Sequence, residues 1–210
     1  MMPLLREARH PYLCGMRFIL ILLLFMSPPF AVGVAAAAGK SPVELTPELR
    51  QTIEKLPHLY GRKVSEAALD GKVVLVSFFA SWCPPCNIEF QHLRDAHAAY
   101  HKQGLRIVAI NYFEDLGGFS DGGVRLDRFL ERHTPWHSVV KGNDAVAKRF
   151  ANVTRIPTVF VFDRTGKLAL HFIHEWKSKR TNLTMAELHA AIRPLLGLTP
   201  NTVPTPRSGH

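Results

Sequence analysis

Two cysteines enclose two prolines in Trp82-Cys83-Pro84-Pro85-Cys86, directly after the apolar run Val73 to Ala80. Thiols two residues apart, where a buried strand turns into a helix, can close a small disulfide ring and reopen it by thiol exchange. With Cys83 as N-cap, Cys86 is the third helical residue, and its N–H is expected to point at the Cys83 sulfur, where the helix start favours a thiolate. Pro84 and Pro85 have no N–H to add, so the Cys83 pKa is expected only moderately below the free value of about 8.5 and the pair is expected to be reducing. Cys83, at the exposed helix end, is the expected nucleophile; Cys86, one turn inward, is the resolving thiol. Half of a zinc site is the rival reading. Zinc needs four ligands, and the third cysteine of the chain, Cys14, is single and far away, while the histidines lack finger-like spacing.

Glu89 lies six residues beyond Cys83 and three beyond Cys86, which returns it to nearly the same helix face. A partly buried carboxylate there has a raised pKa and can take the Cys86 proton; a solvated surface glutamate is the competing reading. Other polar groups carry weaker signals. His97 and His101 form an i, i+4 pair able to bind a metal, although solvent-facing histidines are commoner, and no metal is expected. His171 and His174 fall on opposite faces of a strand. Gly117-Gly118 and Gly122-Gly123 lack the Lys-Ser/Thr of a phosphate loop and read as flexible loop. The net charge of +9 is scattered. No run of Lys and Arg with interleaved aromatics occurs, so nucleic-acid binding is not expected, and a solvated basic surface or attraction to anionic lipid fits better; the densest group, Lys177, Lys179 and Arg180, reads as a solvated loop.

The elements that must position the dithiol follow from periodicity. Val73 to Ala80 is apolar at nearly every position, as in a central strand covered on both faces. Pro84 to Gln103 shows helical spacing through Ile88, Leu93, Ala96 and Tyr100, and Gly104 closes it. Leu105 to Asn111 reads as a second buried strand, so the crossover between the two is parallel and right-handed. A loop over Glu114 to Gly123 precedes short helices at Val124 to Arg132 and Asp144 to Phe150, the latter capped by Asn143 or Asp144. Thr158 to Phe162 and Leu168 to His174 form an antiparallel hairpin over Asp163-Arg164-Thr165-Gly166-Lys167. A capping box at Thr184 and Glu187 opens a last helix that ends by Gly197, with Pro194 expected to kink its final turn.

The N-terminus has the pattern of an export signal: Arg6, Arg9 and Arg17, then apolar Phe18 to Met26, then Ala36-Ala37-Ala38 as a cleavage site. An uncleaved anchor competes, although Ser27-Pro28-Pro29 interrupts it. Met16 is an alternative start that would remove Cys14. The expected organisation is residues 1–38 as signal peptide or membrane anchor, 39–58 as a lead-in, 59–197 as the folded domain and 198–210 as a disordered tail. Export would leave one cysteine pair in an oxidising compartment, which suits a catalyst of exchange better than a disulfide-stapled scaffold.

These features resemble the thioredoxin-fold TlpA/ResA-type thiol-disulfide oxidoreductases, through the strand Val73 to Ala80, Ser81-Trp82-Cys83-Pro84-Pro85-Cys86, Glu89-Phe90, and Arg155-Ile156-Pro157-Thr158 with Phe160 to Gly166. The resemblance covers roughly Leu59 to Leu196. It implies an α/β, thioredoxin-like three-layer fold with a mixed central sheet flanked by helices. It also implies a cis Pro157 against the dithiol, an Ile156 whose backbone meets the partner chain, a Trp82 packed beside the dithiol on the partner surface, and a Glu89 that handles protons. From the residues alone, an X-Pro bond is merely one that adopts cis at low cost. Ser77 departs from the buried aspartate usual at that place in thioredoxins, which makes Glu89 more important. The resemblance further implies disulfide-containing client proteins, in apocytochrome c or copper-site assembly; a periplasmic or extracytoplasmic location, soluble after signal cleavage or anchored by the N-terminal segment, and a monomer are expected. No nicotinamide or flavin signature occurs, so no cofactor is expected and a membrane partner must supply electrons. A disulfide-forming oxidant and a Cu(I)-holding metallochaperone using Cys83 and Cys86 stand as alternatives.

Overall fold

The computed structural model describes residues 43–116, 121–175 and 177–199. The expected signal or anchor, Cys14, the Gly117-Gly118 pair and the tail from residue 200 onward lie outside the described residues. Six strands form one sheet: β1 (His58–Tyr60), β2 (Val73–Phe79), β3 (Leu105–Asn111), β4 (Ser138–Lys141), β5 (Thr158–Phe162) and β6 (Leu168–Ile173), in the order β1-β4-β3-β2-β5-β6. β2, β3 and β4 run parallel, whereas β1, β5 and β6 pair antiparallel with their neighbours, so the sheet is mixed as expected. The helices are α1 (Pro47–Glu54), α2 (Glu66–Leu69), α3 (Pro84–Tyr100), α4 (Val124–His133), α5 (Asp144–Arg149) and α6 (Met185–Leu195).

All seven residues of β2 are buried. Successive side chains point to opposite faces of a strand, and the phenylalanines show the consequence. Phe78 meets Phe150 and Phe160 at ring separations of 5.2 and 6.2 Å, while Phe79 meets Phe90 of α3 and Phe129 of α4 at 4.5 and 5.4 Å. One strand thus carries two aromatic clusters, one under each helical layer. α3 packs beside α6, and α1 beside α5. α3 leaves its α-helical course at Tyr100; a single 3₁₀ turn (His101–Gln103) follows, and Gly104 ends it with φ of 109°, a left-handed conformation that glycine adopts without strain. The capping box at Thr184 and Glu187 is formed. Pro194 lies inside α6, and the chain beyond it tightens through Leu196 N–H to Arg193 O and Gly197 N–H to Pro194 O.

The expected lead-in is a packed part of this body. Leu45, Leu49 and Ile53 belong to the core, and β1 pairs with β4. Arg50, buried on α1, donates to Glu66 and Asp70 at 2.9 Å each and to Leu45 O at 3.1 Å, tying α1 to α2. Leu45 N–H also donates to Gly166 O at 2.8 Å in the β5–β6 turn. Gly166 has φ of 88°, and a Cβ there would sit 2.7 Å from Leu45 O. Gly166→Ala is therefore expected to lower the unfolding free energy by about 1–3 kcal/mol in urea titration and to expose residues 43–55 to hydrogen exchange first. Wild-type protection of that segment in the variant would show that it holds without the turn.

Candidate active site

β2 delivers the chain at its C-terminal end into a turn in which Cys83 N–H donates to Ala80 O at 3.2 Å. Cys83 is the N-cap of α3, with Pro84 and Pro85 in its first turn, where proline is best tolerated. Cys83 and Cys86 are joined as a disulfide across that turn, with Cα atoms 5.3 Å apart. Two expectations need correction. Cys83 is only 3 % exposed and belongs with the fully buried Cys86 to the core cluster. The Cys86 N–H donates to the Cys83 carbonyl at 3.1 Å and the Cys83 side chain takes no capping hydrogen bond, since its sulfur is bonded to its partner.

The opposite wall comes from β5. Thr158 stands opposite Phe78 in the antiparallel β2–β5 ladder, which brings Pro157 and Ile156 to the end of β2 where the dithiol turn begins. The Ile156-Pro157 peptide bond is cis. Ile156 is largely buried, and its carbonyl lies 3.3 Å from His174 Nδ1. Among the described residues no hydrogen bond engages its N–H.

Glu89 is fully buried, so it is not a surface carboxylate. Neither carboxyl oxygen has a hydrogen-bond partner among the described residues. Burial pushes its pKa up to about 7, against a smaller opposing effect of Asn182. The Asn182 amide itself donates to Pro85 O at 2.6 Å, so the segment before α6 is fastened to the dithiol turn. Ser77, on β2, is buried with its hydroxyl unsatisfied.

Asn87 and Glu114, near the dithiol, carry no local sequence signal. Asn87 donates to Cys83 O at 3.2 Å while its Oδ1 lies 3.0 Å from His133 Nε2, linking the first turn of α3 to α4. Glu114 accepts from Ser81 N–H at 3.0 Å, from the Ser81 hydroxyl, and from Asn111 Nδ2 at 2.6 Å. Trp82 is half-buried, and its indole N–H donates to Phe113 O at 2.8 Å, so the expected partner-facing tryptophan also anchors the loop after β3. The buried His137, beside the Phe90 ring at 5.4 Å, is held neutral by burial, its pKa lowered to about 3. His97 and His101 stack at 4.6 Å, and the described residues contain no group of three or more His, Cys, Asp or Glu side chains able to hold a metal ion.

A family model described as Redoxin matches residues 37–187. The chain belongs to the Redoxin family. Among its relatives is the thiol-disulfide oxidoreductase ResA of Geobacillus thermodenitrificans, 27% identical over 154 residues, covering 73% of this chain and 83% of the relative. ResA of Bacillus subtilis is 24% identical over 149 residues, covering 71% and 78%. A crystal structure of a thiol:disulfide interchange protein DsbE from Chlorobium tepidum, described as putative, superposes with a TM-score of 0.52 at 27% identity, over 69% of this chain and 95% of that one. A secreted Mycobacterium tuberculosis disulfide oxidoreductase shares the fold with a TM-score of 0.52 at 20% identity, over 68% and 96%. The resemblance to thioredoxin-fold TlpA/ResA-type proteins is borne out, and with it the class of enzyme: a thioredoxin-like thiol-disulfide oxidoreductase.

The Glu89 carboxyl binds its proton more tightly folded, at about 7, than at the ordinary value of 4.5. Its contribution favours folding below pH 4.5 and is lost as pH rises to 7. Relative to Glu89→Gln, the oxidised wild type is expected to lose roughly 3 kcal/mol across that window, then to run parallel. Urea midpoints measured from pH 4 to pH 8 check this; curves parallel throughout would show the carboxyl to be solvated.

Proposed function

We propose that this protein reduces disulfides in extracytoplasmic client proteins. The observation that carries the reading is the Cys83–Cys86 pair across the first turn of α3, with cis-Pro157 at the end of the adjoining strand and Glu89 buried one turn beyond Cys86. In the reduced protein the Cys83 thiolate attacks a client disulfide. A bond forms between Cys83 and one client sulfur, the client S–S bond breaks, and the other client sulfur leaves and is protonated. Glu89 takes the Cys86 proton; a carboxyl that titrates near 7 is suited to this at neutral pH. The Cys86 thiolate then attacks the Cys83 sulfur, which restores the internal disulfide and releases the second client thiol. Two electrons from a membrane donor reset the pair.

The Ile156 N–H makes no hydrogen bond among the described residues and is available to pair with a client chain, and the half-buried Trp82 supplies an apolar surface next to Cys83 in the chain. The helix start supports the reducing direction. Pro84 and Pro85 lack N–H groups and the Cys86 N–H is engaged by the Cys83 carbonyl, so few donors are left to stabilise a Cys83 thiolate. Export is supported by the basic, apolar and small-residue succession of residues 6–38. Among the described residues no helix is long and apolar enough to cross a membrane. Apocytochrome c and copper-site proteins are the client classes the resemblance supports.

Expressed with its own N-terminus, Cys86→Ala is expected to accumulate mixed disulfides through Cys83 that disappear on adding thiol. Recovery of those adducts from cytoplasmic proteins alone would contradict the location, and recovery of none would contradict the exchange. Glu89→Gln is expected to slow insulin reduction about 100-fold near pH 7 and to remove the inflection there from the pH–rate profile. An unchanged profile would remove Glu89 from the proton path.

A further inference from the structure

Helix α4 places Arg125, Arg128 and Arg132 three and four residues apart, on one helix face. That face lines a predominantly polar cavity of about 270 Å³, together with Ser81, Asp121 and Phe129. Asp121 is engaged at the start of the helix: it accepts from the N–H groups of Gly123 and Arg125 at 3.2 and 3.1 Å and pairs with the Arg125 guanidinium at 3.8 Å. Arg128 and Arg132 make no hydrogen bond or ion pair with the described residues, and Asp127 and Glu131 of the same helix are not their partners. Like charges four apart destabilise a helix, so this spacing is unfavourable to α4 itself.

The cavity is held in place relative to the dithiol. Phe129 packs against Phe79 at 5.4 Å and Phe90 at 4.8 Å, and His133 is bound to Asn87 in the first turn of α3. Ser81, which forms part of the cavity wall, is two residues before Cys83 and is fixed by Glu114. A disulfide presented to Cys83 therefore brings its flanking residues within reach of Arg128 and Arg132. The volume is below the roughly 300–1,000 Å³ of small-molecule sites but sufficient for a carboxylate side chain with water.

We propose that this cavity binds an Asp or Glu of the client, a few residues from the disulfide to be reduced, and so selects acidic client segments. The inference rests on the disulfide-reductase reading. Guanidinium groups match carboxylates in geometry and charge. Because Arg128 and Arg132 are exposed, the preference is sensitive to salt.

The test uses one disulfide-cyclised peptide in three forms, with Glu, Gln or Lys beside the cysteines. Wild type is expected to reduce the Glu form with a kcat/KM about 5- to 10-fold above the Gln form at low ionic strength, and the ratio to fall toward one in high salt. R128Q/R132Q is expected to lose the preference, and R128K/R132K to retain most of it. Fluorescence anisotropy of a non-reducible thioether analogue of the Glu peptide reads the same site without chemistry. Arg-dependent binding of that analogue with no reduction of any peptide would remove the redox reading and leave the carboxylate site. Equal reduction of all three peptides would keep the redox reading and overturn the inference.

Discussion

The register between β2 and β5 is the constraint on which the site depends. Thr158 opposite Phe78 brings the cis Ile156-Pro157 bond to the end of the strand that carries the dithiol. A slip of one residue would turn every side chain of β5 to the other face of the sheet. That slip is opposed by the aromatic packing of β5. Phe160 packs against Phe78 and Phe150 on one side, while Phe79 locks α3 and α4 to the other. The aromatic core thus holds the two halves of the site, which lie more than 70 residues apart in the chain, in one geometry.

Around that frame the protein keeps groups that oppose folding. Glu89 is buried without a hydrogen-bond partner and Ser77 has an unsatisfied hydroxyl, both close to the dithiol in sequence or strand position. A buried carboxyl of this kind destabilises the fold as it ionises, and the same desolvation brings its titration near neutrality, where it can exchange protons with a thiol. Other neighbours stiffen the turn. Asn87, Asn182 and Glu114 each bond to backbone or side-chain atoms within residues 81–85, so the sulfurs are presented from a fixed loop.

Much of this was legible in the sequence where the signal is local. The apolar run of β2, the Cys-Pro-Pro-Cys spacing, the turn between β5 and β6 and the capping box at Thr184 depend on neighbours in the chain and appear as expected; in the helical period of α3, Leu93, Ala96 and Tyr100 are buried as expected, whereas Ile88 is exposed and Phe90 takes its place on the buried face. β4 has four residues and only two buried ones, too few for a periodic signal, and β1 has three. The segment before residue 59 reads as a lead-in in the sequence because its two buried apolar helix residues, Leu49 and Ile53, find their packing only in the tertiary structure. Asn87 and Glu114 give no sequence signal for the same reason: their partners His133 and Ser81 lie 46 and 33 residues away. The depth of Cys83 has no local signal, because a helix N-terminus is exposed or buried according to what the rest of the chain packs around it, and here Cys83 lies in the core cluster.

Reduction of other proteins requires that the dithiol prefer its oxidised state strongly enough to drive the exchange. Equilibrating the isolated protein in graded thiol–disulfide buffers and quantifying free Cys83 and Cys86 by alkylation measures that preference directly. A potential near the thioredoxin value of about −270 mV agrees with the account, since the proline-filled helix start offers little to a thiolate. A potential near about −120 mV, that of a strong oxidant, would contradict it and assign the protein to disulfide formation.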